Sequence, residues 1–210
     1  MGPGGDTGDS VHQGNVMTTA SARPSVFARV RPWWLWIATA LAFPPAGYVA
    51  HEIVGRVDDV GAAVLSGVIT GAVIGTGQWA VLRRRGGSPR WIIATAGGLG
   101  VGLAAGAALV GYETSLGALV AMGAVSGAAV GLAQSASFAP LRRHGLTWTL
   151  ATGALWAIGW AVTTGSGIDV DKQWPVFGIS GALVAAVLQS MFISRYVPDT
   201  QSSRIATTSA

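Results

Sequence analysis

The sequence predicts an all-α transmembrane protein: a six-helix bundle of three parallel two-helix repeats with pseudo-threefold symmetry and both termini cytoplasmic. Three observations carry this expectation. Only 13 basic and 9 acidic side chains occur among 210 residues, half of which are hydrophobic, whereas soluble domains are about one quarter charged. The charges fall between apolar stretches of about 20 residues, the length that crosses a bilayer core as helix. A Gly-x-x-x-Gly-x-x-Gln pattern then recurs at a fixed spacing along the chain.

The mean hydropathy of +0.50 excludes a disordered chain. Collagen is excluded because the 31 glycines lack a three-residue period, and a disulfide scaffold because cysteine is absent. The predicted spans are Trp33 to Val54, Val60 to Leu82, Trp91 to Gly111, Leu116 to Ala139, Trp148 to Gly165 and Trp174 to Ile193. The last five hold no Asp, Glu, Lys, Arg or His, as expected where burying an ionised group is costly. In the first, the uncharged run ends at Ala50, and His51 and Glu52 fall where the helix leaves the membrane. Residues 33–195 thus form the membrane domain, in repeats of about 33–85, 91–143 and 148–195. Residues 1–32 and 196–210 read as disordered cytoplasmic tails, with Met17 an alternative start to Met1.

Orientation follows from the basic residues. Arg23, Arg29, Arg31, Arg83, Arg84, Arg85, Arg90, Arg142, Arg143, Arg195 and Arg204 fall in one set of alternate segments, eleven of the thirteen. Arg56 and Lys172 share the other set with Glu52, Asp58, Asp59, Glu113, Asp169 and Asp171. The positive-inside rule places the arginine-rich set in the cytoplasm. These short basic flanks read as contacts to anionic lipid headgroups, not nucleic acid. Trp33, Trp34, Trp36, Trp79, Trp91, Trp148 and Trp174 read as aromatic belts at the two interfaces. Trp156 and Trp160 lie deeper and are expected to face lipid or fill a packing gap.

The internal repeat is the sharpest signal. GAVIGTGQ places Gly71 and Gly75 before Gln78; GAAVGLAQ places Gly127 and Gly131 before Gln134; ALVAAVLQ places Ala182 and Ala186 before Gln189. Gly67, Gly123 and Gly178 extend the small-residue stripe by a turn, at offsets of 56 and 55 residues. The odd spans repeat as Leu35-Trp-Ile-Ala-Thr39, Trp91-Ile-Ile-Ala-Thr95 and Trp148-Thr-Leu-Ala-Thr152. Stripes of this kind let membrane helices approach closely, and the expectation is that they bring the even helices together. Gly98, Gly102 and Gly106 give the third span a similar face.

Gln78, Gln134 and Gln189 each lie on the small-residue face of their helix. Two readings follow: amides hydrogen-bonded across helix pairs, or a polar ring around a path for a small solute or ion. The first is favoured, since polar groups in hydrocarbon find partners. Pro44 and Pro45 predict a kink in the first helix alone. His51-Glu52 does not continue into HExxH, and His12 and His144 are the remaining histidines, so zinc lacks ligands. Asp58-Asp59 reads as a solvated interface cluster. No serine has a Lys or His partner at membrane depth, so neither an enzyme nor a cofactor is expected.

The QW-x-x-LR segment from Gln78 to Arg83, with the following W-x-x-A-T, resembles uncharacterised bacterial polytopic integral membrane proteins, in which it forms a GxxxGxxQ(W)…LRR repeat. The resemblance spans Trp33 to Arg195 and implies no activity; Ser135 and Ser190 stand where the first unit has Trp79. Three two-helix repeats also resemble the architecture of mitochondrial carriers, but their proline/acid/base signature is absent and no function carries across. The expected role is a structural or accessory component of the plasma membrane. Its partners are lipid and a second copy or another membrane protein; the alternative role is a small-solute or ion channel or transporter.

Overall fold

The structure, a computed structural model, describes residues 1–2 and 34–197. The described residues are helical and contain no strand. The expected tails, Met17, Trp33 and the arginines at 23, 29, 31 and 204 lie outside them, except that Tyr196 is the last residue of a helix and Val197 is buried after it.

The first helical segment begins at 34–38, tightens to a 3-10 turn over Thr39–Ala42 and resumes as α1, Phe43–Val54. Pro44 and Pro45 occupy the first turn of α1, where a missing backbone N–H costs nothing, so the prolines restart the helix. Gly55 stops it at φ +89°, its N–H bonding His51 O at 2.8 Å. α2 is Val60–Leu82, N-capped by the Asp59 carboxylate, which accepts from Ala62 N at 2.8 Å. α3 is Arg90–Leu109, and α4 is Leu116–Ser137, capped by Ser115. After the single turn Ala139–Arg142, α5 runs Gly145–Gly165 and α6 Ile179–Tyr196.

Four helical stretches are long and apolar enough to cross a membrane: Val60–Arg85, Arg90–Leu109, Leu116–Ser137 and Ile179–Tyr196. α5 is as long, but its three tryptophans and five threonines make it less apolar. α1 is shortened to 12 residues by the 3-10 break before it. The sixth expected span began at Trp174, yet α6 starts at Ile179. Pro175 interrupts the approach, and Gly178 N donates instead to Thr163 Oγ1 at 3.1 Å. Gly178 therefore caps α6 and belongs to the link, not to a packing stripe.

Helices pack in chain order, each against the next, and α6 returns to the Thr39–Ala42 turn and α1. The small-residue stripes correct the expectation about their partners, because they close on the following helix and not on one another. A Cβ added at Gly67 or Gly71 would lie 2.6 Å from the carbonyl oxygens of Leu99 and Thr95 on α3. At Gly127 it would lie 2.7 Å from Thr152 O on α5, and at Gly131 2.9 Å from Thr149 Cα. Gly98, Gly102 and Gly106 meet α4 in the same manner. The α2 stripe lies against the α3 backbone, and the α4 stripe against the α5 backbone and the side chains of Trp156 and Trp160. Trp156 and Trp160 are buried and pack around Phe177, filling space between helices instead of facing lipid.

Gly71→Ala drives a methyl into the α3 backbone and is expected to cost about 2 kcal/mol of stability. Gly97→Ala, on the same bundle but with open space at its Cβ, is expected to be neutral or stabilising by up to about 1 kcal/mol. Thermal unfolding of both variants in detergent measures the contrast.

Candidate functional site

The close approach of α2, α3, α4 and α5 places polar side chains together near the arginine-bearing end. Gln78 follows Gly75 by three residues on α2, and Gln134 follows Gly131 by three on α4, so each amide continues the face on which its helix meets the next. Gln134 Nε2 donates to Gln78 Oε1 at 3.1 Å and to Thr95 Oγ1 at 3.0 Å. Gln134 Oε1 accepts from the Trp148 indole at 3.2 Å, and Gln78 Oε1 from the Trp91 indole at 3.0 Å. Thr95 in turn donates to Trp91 O at 2.8 Å.

All five side chains are buried, Gln134 at 1% and Gln78 at 4% exposure. Around them lies an apolar cluster that includes Leu82, Phe138, Leu141 and Ile193, with Trp36 and Trp91 edge to face at 6.4 Å. In such surroundings an amide without a partner would be costly, and mutual bonding removes that cost. Amides, indoles and a hydroxyl are neutral at physiological pH, so this group can hold helices in register but has no proton to exchange.

Gln189 is the exception among the three expected residues. It is buried at 5% on α6, between Ala186, in the cluster with Ala40, and Ile193, in the cluster with Trp36. Among the described residues, the hydrogen bonds of Gln78 and Gln134 do not extend to it. Trp36 Nε1 and Thr152 Oγ1 are buried without a partner among the described residues. Ala182 and Ala186 lie in the core as expected of packing residues.

The partners that the sequence did not point to are Trp91, Thr95 and Trp148. Both tryptophans read as interfacial anchors, yet each is 1% exposed and spends its N–H on a glutamine. A signal was present in their spacing: the indoles stand 13 and 14 residues after Gln78 and Gln134, with a threonine one turn further on.

At the opposite end the links come together. Val57 N donates to Gln173 O at 3.3 Å, Gln173 Nε2 to Tyr112 O at 2.8 Å, and Arg56 Nε to Gln173 Oε1 at 3.0 Å. Asp59 is a helix cap and Asp58 is exposed. The His51 ring lies 4.5 Å from that of Trp174, while Glu52 is exposed. Among the described residues no three His, Cys, Asp or Glu side chains are grouped to hold a metal ion. No family model, curated protein or solved structure matches the chain.

Gln134→Leu strands the Trp148 indole and frees Thr95 and Gln78, with an expected cost of about 1–3 kcal/mol. Gln78→Leu should cost a similar amount, and the double variant less than the two together, because one bond is common to both. Gln189→Leu should cost less than either. Unfolding midpoints in one detergent measure all four.

Proposed function

We propose that this chain is a multi-pass protein of the bacterial plasma membrane with cytoplasmic termini, in which three two-helix repeats build a closed bundle with a structural or accessory role. The observation that carries this reading is the Gln78–Gln134 bond with its two indole donors. A conducting ring needs amides facing a water-filled path, whereas both amide oxygens and the Gln134 nitrogen are bonded to one another, to two indoles and to Thr95 in a seam at most 4% exposed. The repeat draws support from two Trp-to-Gln bonds at nearly equal sequence separation. On this reading Trp36 and Gln189 hold the corresponding places where the last hairpin meets the first, without the indole-to-amide bond of the other two pairs.

The six-span topology is supported by the length of α5 and by the placement of Arg83, Arg84, Arg85, Arg90, Arg142, Arg143 and Arg195 at helix ends remote from Arg56 and Lys172. An accessory role implies a partner, either a second copy or another membrane protein, and the apolar side chains exposed along α2 to α6 give such a partner, or lipid, its contact surface.

Liposome flux tests the role. Purified protein is expected to pass neither monovalent ions nor a small neutral solute above the rate of protein-free vesicles, with Gln134→Leu indistinguishable from the parent. Flux through the parent that Gln134→Leu abolishes would establish conduction instead. Reporter fusions after Arg85 and Arg143 are expected to report from the cytoplasm, and signals from outside the cell would overturn the orientation.

A further inference from the structure

The acidic end of the molecule holds a cavity of about 280 Å³ between α1, the second half of α5 and the link 166–178. Its floor is aromatic, with Phe43, Trp160 and Phe177 buried, and Trp174 forms a half-buried wall. Pro44, Tyr48 and Ile168 of the lining are exposed and mark its open side. None of the lining residues carries a charge. Two polar groups of the lining are committed, the Trp174 indole donating to Asp169 O at 3.2 Å and Thr163 Oγ1 accepting from Gly178 N, and among the described residues the Trp160 indole and Tyr48 hydroxyl are not. What remains for a ligand is the surface of five aromatic rings, with the Trp160 N–H and the Tyr48 hydroxyl.

The charge at this end is one-sided. The links that converge through Gln173 and the end of α1 carry Glu52, Asp58, Asp59, Glu113, Asp169 and Asp171, all exposed, against Arg56 and Lys172. Thr114 Oγ1 donates to Asp171 Oδ1 at 3.3 Å, which ties the 111–115 turn to the link bordering the cavity. Asp169 and Asp171 flank Val170, itself a lining residue. Carboxylates near a low-dielectric opening raise the local concentration of cations and repel anions. Aromatic faces attract an organic cation and are the recurring means of holding quaternary ammonium groups.

We infer that this cavity is a binding site for a small lipophilic organic cation, an aryl or short-alkyl body bearing a quaternary ammonium. The rings hold the ligand and the carboxylates of the 166–178 link draw it to the mouth. The cavity volume lies at the lower limit of ligand pockets, about 300 Å³, and suits a single-ring body with a trimethylammonium head. The inference stands on a different end of the molecule from the amide seam and does not depend on the structural role proposed above.

Benzyltrimethylammonium is the probe, titrated into the full chain in maltoside detergent and followed by tryptophan fluorescence and calorimetry. Neopentylbenzene, the neutral molecule of the same shape, and benzenesulfonate are the comparators. Saturable binding is expected, about tenfold tighter for the cation than for neopentylbenzene, with none for benzenesulfonate. Tyr48→Ala, at an exposed position where folding is not at stake, and Trp174→Ala should each weaken the cation about tenfold. Asp169→Asn with Asp171→Asn should weaken it and flatten its salt dependence. Gln134→Leu should leave it unchanged. Equal affinity for the neutral molecule, binding unaffected by Tyr48→Ala, or no saturable binding of the cation would each overturn the inference.

Discussion

The side chain of Gln134 is the point on which the polar interior of this bundle depends. From α4 it reaches Gln78 on α2, Thr95 on α3 and Trp148 on α5, so a single amide ties four helices. Hydrocarbon offers no solvent partner to a buried amide, and a membrane helix that carries one must meet its needs from neighbouring helices. Helix association in lipid also lacks the hydrophobic driving force that water supplies, which leaves close van der Waals packing and hydrogen bonds to decide which faces meet. Both act here at the same place.

The glycines make the amide reach possible. A Cβ at Gly75 would lie 3.0 Å from Thr95 Cβ and one at Gly131 2.9 Å from Thr149 Cα, so a methyl group fits at neither without a shift of the facing helix or its side chain. The short Gln side chain then spans the remaining distance to the next helix. A larger residue in either stripe would separate the helices and strand the amide, so the small residues and the glutamines form one device. α6 carries alanines at two of these positions and a glutamine outside the amide cluster, consistent with its looser association with α5 and the first segment.

Much of the helical layout was legible in the sequence because charge is costly in hydrocarbon, and the uncharged runs therefore mark α2, α3 and α4 nearly to the residue. The glutamines were legible because their spacing from Gly75 and Gly131 fixes the face on which they lie. The partners of the stripes were not legible: helical periodicity tells which side of α2 is small but not which neighbour that side meets, and the answer was α3. Trp91 and Trp148 were read as interfacial anchors because a tryptophan at a helix end looks the same whether its N–H meets water or an amide. The start of α6 was missed because hydropathy sees the Val176-Phe177 pair as continuous with the helix, whereas Pro175 and the Gly178 cap divide them.

That division explains why the two ends of the molecule differ. Had α6 begun at Trp174, residues 174–178 would lie along a helix and present one face inward. In the link, Phe177 instead inserts between helices, with ring centroids 5.1 Å from Phe43, 5.4 Å from Trp156 and 6.1 Å from Trp160. Gly159 makes room for it, since a Cβ there would come within 2.9 Å of the ring. A single aromatic wedge cannot fill the width between α1 and α5 as two interlocked helix faces would, and the residual space is the aromatic-lined cavity. At the arginine-bearing end the link aromatic Phe138 packs edge to face on Trp91 at 5.9 Å, beside the amides and indoles that bond across the helices. The late helix start and the prolines that set α1 apart thus leave accessible aromatic surface at one end, while hydrogen-bonded amides and indoles fill the other.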